Sequence, residues 1–292
     1  MKIVLIGKNG QLGWELQRVL PTLGEVISLG RRELDLAAPQ TVQETIRSLH
    51  PDLIINASAY TEVDLAETQV ELAMQVNATA PGELAEVARK IGAVFIHYST
   101  DYVFDGKSTR PYTEDDPPNP INVYGKSKYL GEQNIQHAGG SDLIFRTSWV
   151  YSLRGNSFVN KVLGWSRKNP SLKIVSDQIS SPTWARTLAE ITCLALARHN
   201  DDLFEKIGGR RGVYHLAGTG YASRFEWARQ ILAYDSNRTE QLVQAIEPAS
   251  SDEFPTPAVR PLFSALDCTH FERGFGLRMP EWHGMLRLAM AE

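Results

Sequence analysis

The chain has 292 residues, 42% hydrophobic and 22% charged, which fits an ordinary soluble protein of one or two domains. Its net charge of −4, with no basic stripe, argues against nucleic acid as the main partner. Two cysteines without metal-ligand spacing and seven scattered histidines, none paired at i,i+4, suggest neither a disulfide framework nor a zinc site and fit a reducing cytoplasm.

The first apolar run, Ile3–Ile6, stops at Gly7, too short for a signal peptide or a membrane span. It reads as a strand and leads into Gly7-Lys-Asn9-Gly10-Gln11-Leu12-Gly13, a G-x-x-G-x-x-G series that opens a helix over Gln11–Leu20. Glycines there permit a tight turn and close approach of backbone to a pyrophosphate, while the helix N-terminus offers N–H donors. The other reading is a plain glycine-rich turn. Further strands are expected at Val26–Leu29, Leu53–Asn56, Ala93–Tyr98 and Leu143–Phe145, and further helices at Pro39–His50, Val70–Ile91 and Tyr124–His137. Apolar strands alternating with amphipathic helices predict an α/β fold, a doubly wound parallel sheet of Rossmann type.

After the second strand the chain reads Gly30-Arg31-Arg32-Glu33. Arginine there can pair with the 2′-phosphate of NADPH, Glu33 keeps NADH open, and both arginines could instead be solvated. The polar, proline-rich stretch 106–122 reads as a long loop, a length usually tied to function or mobility. It delivers the chain to Tyr124-Gly-Lys-Ser-Lys128, the one tyrosine of ten with lysine four residues on. On a helix that spacing stacks phenol and ammonium on one face. A nearby ammonium favours the phenolate and would bring the phenol toward working pH. The pair could also be a solvated helix face.

Beyond residue 150 the pattern is less regular. Helices are expected at Phe158–Arg167, Trp184–Arg198, Phe225–Tyr234 and Glu281–Ala291, and strands at Lys173–Val175 and Val213–Leu216. These observations divide the chain into a dinucleotide-binding domain at 1–150 and a smaller α/β substrate lobe at 151–292, with a return of segments to the sheet left open.

Several further segments, in this order, carry a resemblance. They are Asp35-Leu36, Asn56-Ala57-Ser58-Ala59-Tyr60-Thr-Glu-Val-Asp64, Val76-Asn77, Ser99-Thr100-Asp101-Tyr-Val-Phe-Asp-Gly106, Arg146-Thr-Ser-Trp149-Val-Tyr151, Asp177-Gln178 with Pro182-Thr183, and Arg260-Pro261. Together with Gly7–Gly13 and Tyr124–Lys128, the chain resembles the extended short-chain dehydrogenase/reductases and, more narrowly, the dTDP-4-dehydrorhamnose reductase family. The resemblance covers nearly the whole length. It implies an NAD(P)H-dependent reduction of the C4 ketone of dTDP-4-dehydro-L-rhamnose to dTDP-L-rhamnose, a step of cell-surface polysaccharide synthesis.

What the resemblance implies residue by residue is as follows. Asp35 and Leu36 lie near the adenine, and Ala57, Ser58, Ala59 and Tyr60 run along the cofactor with Asn77. Tyr124 and Lys128 reach the nicotinamide ribose, and Thr100 supplies a catalytic hydroxyl. Asp101 and Trp149 lie near the sugar, and Arg260 clamps the diphosphate. It further implies a cytoplasmic homodimer and a magnesium dependence whose ligands the sequence does not show. Two rivals stand beside it. One is an epimerase of the same superfamily, which would retain its NAD; a 4,6-dehydratase is disfavoured because Tyr102 follows Asp101 where that class carries glutamate. The other is a regulatory subunit of the methionine adenosyltransferase type, which does not need Thr100, Tyr124 and Lys128.

Overall fold

A computed structural model describes residues 1–198 and 203–291 of the chain. Strands β1 (Lys2–Ile6), β2 (Glu25–Leu29), β3 (Leu53–Asn56), β4 (Val94–Thr100) and β5 (Ser141–Thr147) alternate with helices α1 (Gln11–Val19), α2 (Pro39–Leu49), α3 (Val63–Ala66), α4 (Val70–Met74), α5 (Ala80–Ile91) and α6 (Val123–Ala138). The chain then makes β6 (Val150–Tyr151), α7 (Phe158–Ser166), β7 (Ser171–Val175), β8 (Ile179–Ser180), β9 (Thr183–Trp184), α8 (Ala185–Ala197), α9 (Leu203–Gly208) and β10 (Gly212–His215). It finishes with β11 (Ala222–Ser223), α10 (Arg224–Tyr234), β12 (Ala245–Ala249), α11 (Thr269–Phe275) and α12 (Trp282–Ala289).

The main sheet has the order β10-β5-β4-β3-β1-β2, with every neighbouring pair parallel. All of β3 and β4 is buried, so these apolar runs are covered on both faces, as a parallel sheet requires. Alternate side chains feed two cores. Ile3, Leu5, Ile55 and Ile96 pack on the side of α1 and α8, while Val4, Ile6, Ile54 and Phe95 pack on the side of α2 and α5. From β1 the chain steps outward to β2 and then back across to β3. That reversal opens a crevice at the strand C-termini, where ligands bind in doubly wound sheets.

The second half returns twice to this unit. Strand β10 extends the sheet beside β5, and α8 packs on α1. The rest of it builds three two-stranded sheets, β11-β8, β12-β7 and β6-β9, over the crevice side. The one long helix expected over Val70–Ile91 is interrupted by a wide π-type turn at Gln75–Thr79. The buried Asn77 side chain explains the interruption, since it leaves the helix to bond both the N–H and the carbonyl of Tyr60. Both cysteines are buried free thiols. Among the described residues no helix is long and apolar enough to cross a membrane.

Candidate active site

The turn from β1 into α1 shows why glycine is required at two places. Gly7 has φ +96°, and a Cβ there would lie 2.8 Å from the Ala57 carbonyl carbon. A Cβ on Gly13 would lie 2.0 Å from the Gly7 oxygen, so the third glycine lets α1 sit tightly on β1. Gly10 is the N-cap of α1 and provides no side-chain cap, which leaves first-turn N–H groups for a ligand.

A cavity of about 650 Å³ lies over this turn. Gly30 and Arg31 line one end, Gly7, Asn9, Gly10, Gln11, Leu12 and Ala57–Ala59 the middle, and Thr100, Asp101, Tyr124, Lys128 and Trp149 the other end. A slot of about 110 Å³ continues from Gly30 and Ser58 between Asp35, Leu36, Tyr60 and Val76. The phosphate turn, open helix N-terminus and slot together fit a dinucleotide. Two of the expected cofactor contacts stand behind the cavity wall. Gly13 serves helix–strand packing, and Asn77 ties the Tyr60 backbone to Ser127 of α6.

At the end of the second strand, Glu33 is already engaged: it accepts from Lys8 Nζ at 2.9 Å and from the Gly30 N–H at 2.8 Å. Those bonds hold its carboxyl below the usual range, Lys8 foremost. Arg31 extends to solvent, 77% exposed, in a loose 3.4 Å contact with Asp35. The rim thus holds two cations, Lys8 and Arg31, each beside a carboxylate, with the Arg31 pairing the looser.

Tyr124 occupies the first turn of α6, which Asn122 caps by accepting the Gly125 N–H at 2.7 Å. Gly125 lets this turn press on the Tyr102 carbonyl, where a Cβ would come within 2.2 Å. That contact brings the phenol beside Thr100 at the end of β4, with the Tyr102 ring edge-on at 5.6 Å. The Thr100 hydroxyl accepts from the Tyr102 N–H and lies 3.2 Å from Asp101 Oδ1.

The electrostatics differ from the expectation that Lys128 draws the phenol down. Burial pushes Tyr124 well above the ordinary phenol value, Thr100 pulls it partly back, and Asp101 and Tyr102 push it further up. Lys128 Nζ donates to the Tyr98 carbonyl at 2.6 Å and meets His97 Nε2 at 3.0 Å. Burial brings this lysine down to about 7, against the opposing charge of Glu132. The structure thus presents an intact phenol acid above a lysine that titrates near neutrality.

Asp101 is buried and accepts from Ser180 at 2.9 Å and Ser264 at 2.5 Å, both from the second half of the chain. Burial raises its carboxyl, with Ser264, Ser180 and Thr100 opposing. It therefore fastens the second half of the chain to the end of β4 besides lining the cavity. Trp149 has φ +41°, a strained left-handed conformation for a bulky residue. Its ring stacks on Trp227 at 5.4 Å and meets the Arg224 guanidinium at 3.6 Å, which also lies 5.6 Å from the Trp227 ring.

Arg224 opens a second cavity of about 830 Å³, shared with Phe158, Trp165, Lys173, Phe254 and Arg260. Arg260 is paired with Asp64 at 2.7 and 3.0 Å, so much of its charge is spoken for. Arg224 makes no ion pair among the described residues, and burial lowers it to about 10. It is the better anion-binding group, and the sequence hid it because Arg224 stands in no recognisable motif. Its one local signal is the Ser223-x-x-Glu226 capping box that opens α10. No group of three or more His, Cys, Asp or Glu among the described residues could hold a metal ion.

The profile of the RmlD substrate binding domain matches residues 1–292. The dTDP-4-dehydrorhamnose reductase of Burkholderia thailandensis is 40% identical over 297 residues, covering 100% of this chain and 99% of that protein. A crystal structure of a dTDP-4-dehydrorhamnose reductase from Clostridium acetobutylicum superposes with TM-score 0.90 at 34% identity, over 100% of this chain and 99% of the other. One from Bacillus anthracis, solved in complex with NADP, gives 0.89 at 33% identity, over 99% and 98%. With a family profile matched from end to end and relatives this similar over their full length, the chain belongs to the RmlD substrate binding domain family, within which it is similar to dTDP-4-dehydrorhamnose reductases.

Proposed function

We propose that this protein reduces the C4 ketone of dTDP-4-dehydro-L-rhamnose to dTDP-L-rhamnose with NADPH. The observation that carries the reading is one cavity lined by both a dinucleotide turn and Thr100 with Tyr124, next to an arginine-lined second cavity whose Arg224 lies against Trp149. Bound NADPH supplies the hydride that the ketone carbon takes. Tyr124 gives its proton to the alkoxide oxygen formed there; its high proton affinity keeps it protonated until that charge develops. The Thr100 hydroxyl turns from Asp101 to donate to the same oxygen. Lys128, which lines the same cavity, passes on the proton from solvent that restores the phenol. Arg224, with Arg260 behind it, holds the diphosphate, while Trp149 closes one wall of the sugar site.

NADPH is favoured over NADH because Arg31 is available to a 2′-phosphate while Lys8 and Gly30 occupy the Glu33 carboxylate. The N-terminal 150 residues then form the cofactor domain. The remainder forms the substrate lobe, except that β10 and α8 belong to the sheet unit. A cytoplasmic homodimer is part of this reading and rests on the family resemblance alone.

The test supplies purified protein with NADPH and enzymatically prepared dTDP-4-dehydro-L-rhamnose. One dTDP-L-rhamnose should form for each NADPH consumed. Protein that purifies with bound NAD and isomerises a sugar nucleotide without net cofactor consumption would be an epimerase instead.

A further inference from the structure

Beneath Lys128 lies a chain of buried polar groups whose direction can be read. Asn56 ends β3 and is fully buried, as is His97 in β4, and neither residue lines the cavity. Asn56 Oδ1 accepts the Ser58 N–H at 3.0 Å, and Asn56 Nδ2 lies 3.2 Å from His97 Nδ1. His97 Nε2 lies 3.0 Å from Lys128 Nζ, which in turn donates to the Tyr98 carbonyl at 2.6 Å.

The Ser58 backbone N–H can only donate, so it fixes the Asn56 oxygen on its side and the amide nitrogen toward the imidazole. An amide NH₂ also only donates, so His97 Nδ1 must accept and carries no proton. A neutral imidazole then has its proton on Nε2, which points at the lysine. Two donors cannot share one bond. Nζ completes the contact only by offering a lone pair, which an ammonium lacks. We propose that His97 is a positioning residue for Lys128: aiming Nε2–H at Nζ, with a polarity set by the cofactor-lining turn through Asn56, favours the lysine as an uncharged amine.

The charged and titratable groups around this contact are Tyr124 and Glu132 from α6, His97 from β4, and Arg146 from β5, which pairs with Glu132; the Tyr98 phenol points to the other face of β4, to Thr192. Burial keeps His97 well below the usual imidazole range, and the lysine charge adds to this, so the ring stays neutral. On Lys128, burial favours the amine and Glu132 opposes it. The His97 proton sides with burial. A lysine balanced near neutrality can take up and release a proton in each turnover, as a group completing the Tyr124 acid must. This consequence rests on the reductase reading; the hydrogen-bond polarity does not.

Two measurements test it separately. In ¹⁵N-histidine-labelled protein, with His97 assigned from the signal lost in His97→Gln, the ring should show a bare Nδ1 and a protonated Nε2 at neutral pH. A protonated Nδ1, or an imidazolium, would overturn the proposal whether or not the protein is a reductase. In the pH profile of kcat/KM, the alkaline limb set by the Lys128 ammonium should rise by at least about one pH unit in His97→Leu. It should rise likewise in Asn56→Asp, whose carboxylate accepts from Nδ1 and moves the ring proton away from the lysine. His97→Gln, which keeps an N–H at the ε position, should leave the limb unmoved. A limb unchanged in both folded His97→Leu and Asn56→Asp would overturn the proposal. Wild-type protein that oxidises no NADPH with the sugar would instead sink the reductase reading, and the labelled-histidine spectrum would still decide the role of His97.

Discussion

Replacing Glu132 with glutamine should destabilise the fold far more than a surface carboxylate would. Its carboxylate accepts from Arg146 at 2.9 and 2.6 Å and from the Ser99 hydroxyl at 2.5 Å, and both ionic side chains are at most 4% exposed. Arg146 Nη1 already lacks a partner, so removing the negative charge leaves a buried guanidinium almost uncompensated. Breaking a buried pair from one side costs about 3–5 kcal/mol. Glutamine keeps one acceptor oxygen, which places the variant near the lower figure. At about 2–4 °C per kcal/mol for a chain of this size, the melting temperature should fall by roughly 6–12 °C. Urea unfolding followed by tryptophan fluorescence gives the free energy, with the double variant Glu132→Leu, Arg146→Met as the control. Removing both charges should recover most of the loss, since apolar replacements of buried pairs are often neutral. A single-variant loss under about 1 kcal/mol, or a double variant as unstable as the two singles summed, would refute the reasoning.

Asp142 offers a pH test: neither carboxylate oxygen has a hydrogen-bond partner, and burial pushes its carboxyl up to about 6, with Arg211 opposing. A raised acid favours the fold while protonated, so this contribution is complete below 3.8 and is lost as pH climbs to about 6. The loss amounts to roughly 3 kcal/mol, and the pH slope of stability should flatten over that window in Asp142→Asn. Parallel slopes would contradict it. Arg31→Ala with Arg32→Ala should raise KM for NADPH about tenfold and KM for NADH by less than about twofold, a modest figure because Arg31 is solvent-screened; equal changes would remove the 2′-phosphate role. Arg224→Leu should weaken dTDP binding by roughly 10–100-fold in calorimetry and leave NADPH binding unchanged. Unaltered dTDP affinity would return the clamp to Arg260.

Local pattern made the sheet legible. Runs such as Leu53–Asn56 are apolar because both faces are covered, and Gly7–Gly13 marks its own turn. The site was legible where contacts are short in sequence, as with Tyr124 and Lys128. It was obscure where they are long. Arg224 meets Trp149 across 75 positions, and Ser180 and Ser264 reach Asp101 from further still. No periodicity encodes such pairings, nor the two-residue strands β6, β8, β9 and β11, which exist because the folded lobe brings their partners together. The further partners of Lys128 were hidden for the same reason. Helical spacing put it and Tyr124 on one face of α6, but the Tyr98 carbonyl and His97, from another strand, claimed the amine.

Stopped-flow loss of NADPH absorbance with dTDP-4-dehydro-L-rhamnose, run on wild type and Tyr124→Phe with NADPH affinity measured in parallel, tests the acid at the heart of the mechanism. Wild type should turn over, and the variant should be slower by about 10²–10⁴-fold with its NADPH affinity intact. A phenylalanine variant that reduces the sugar at near wild-type rate would mean that the proton comes from elsewhere.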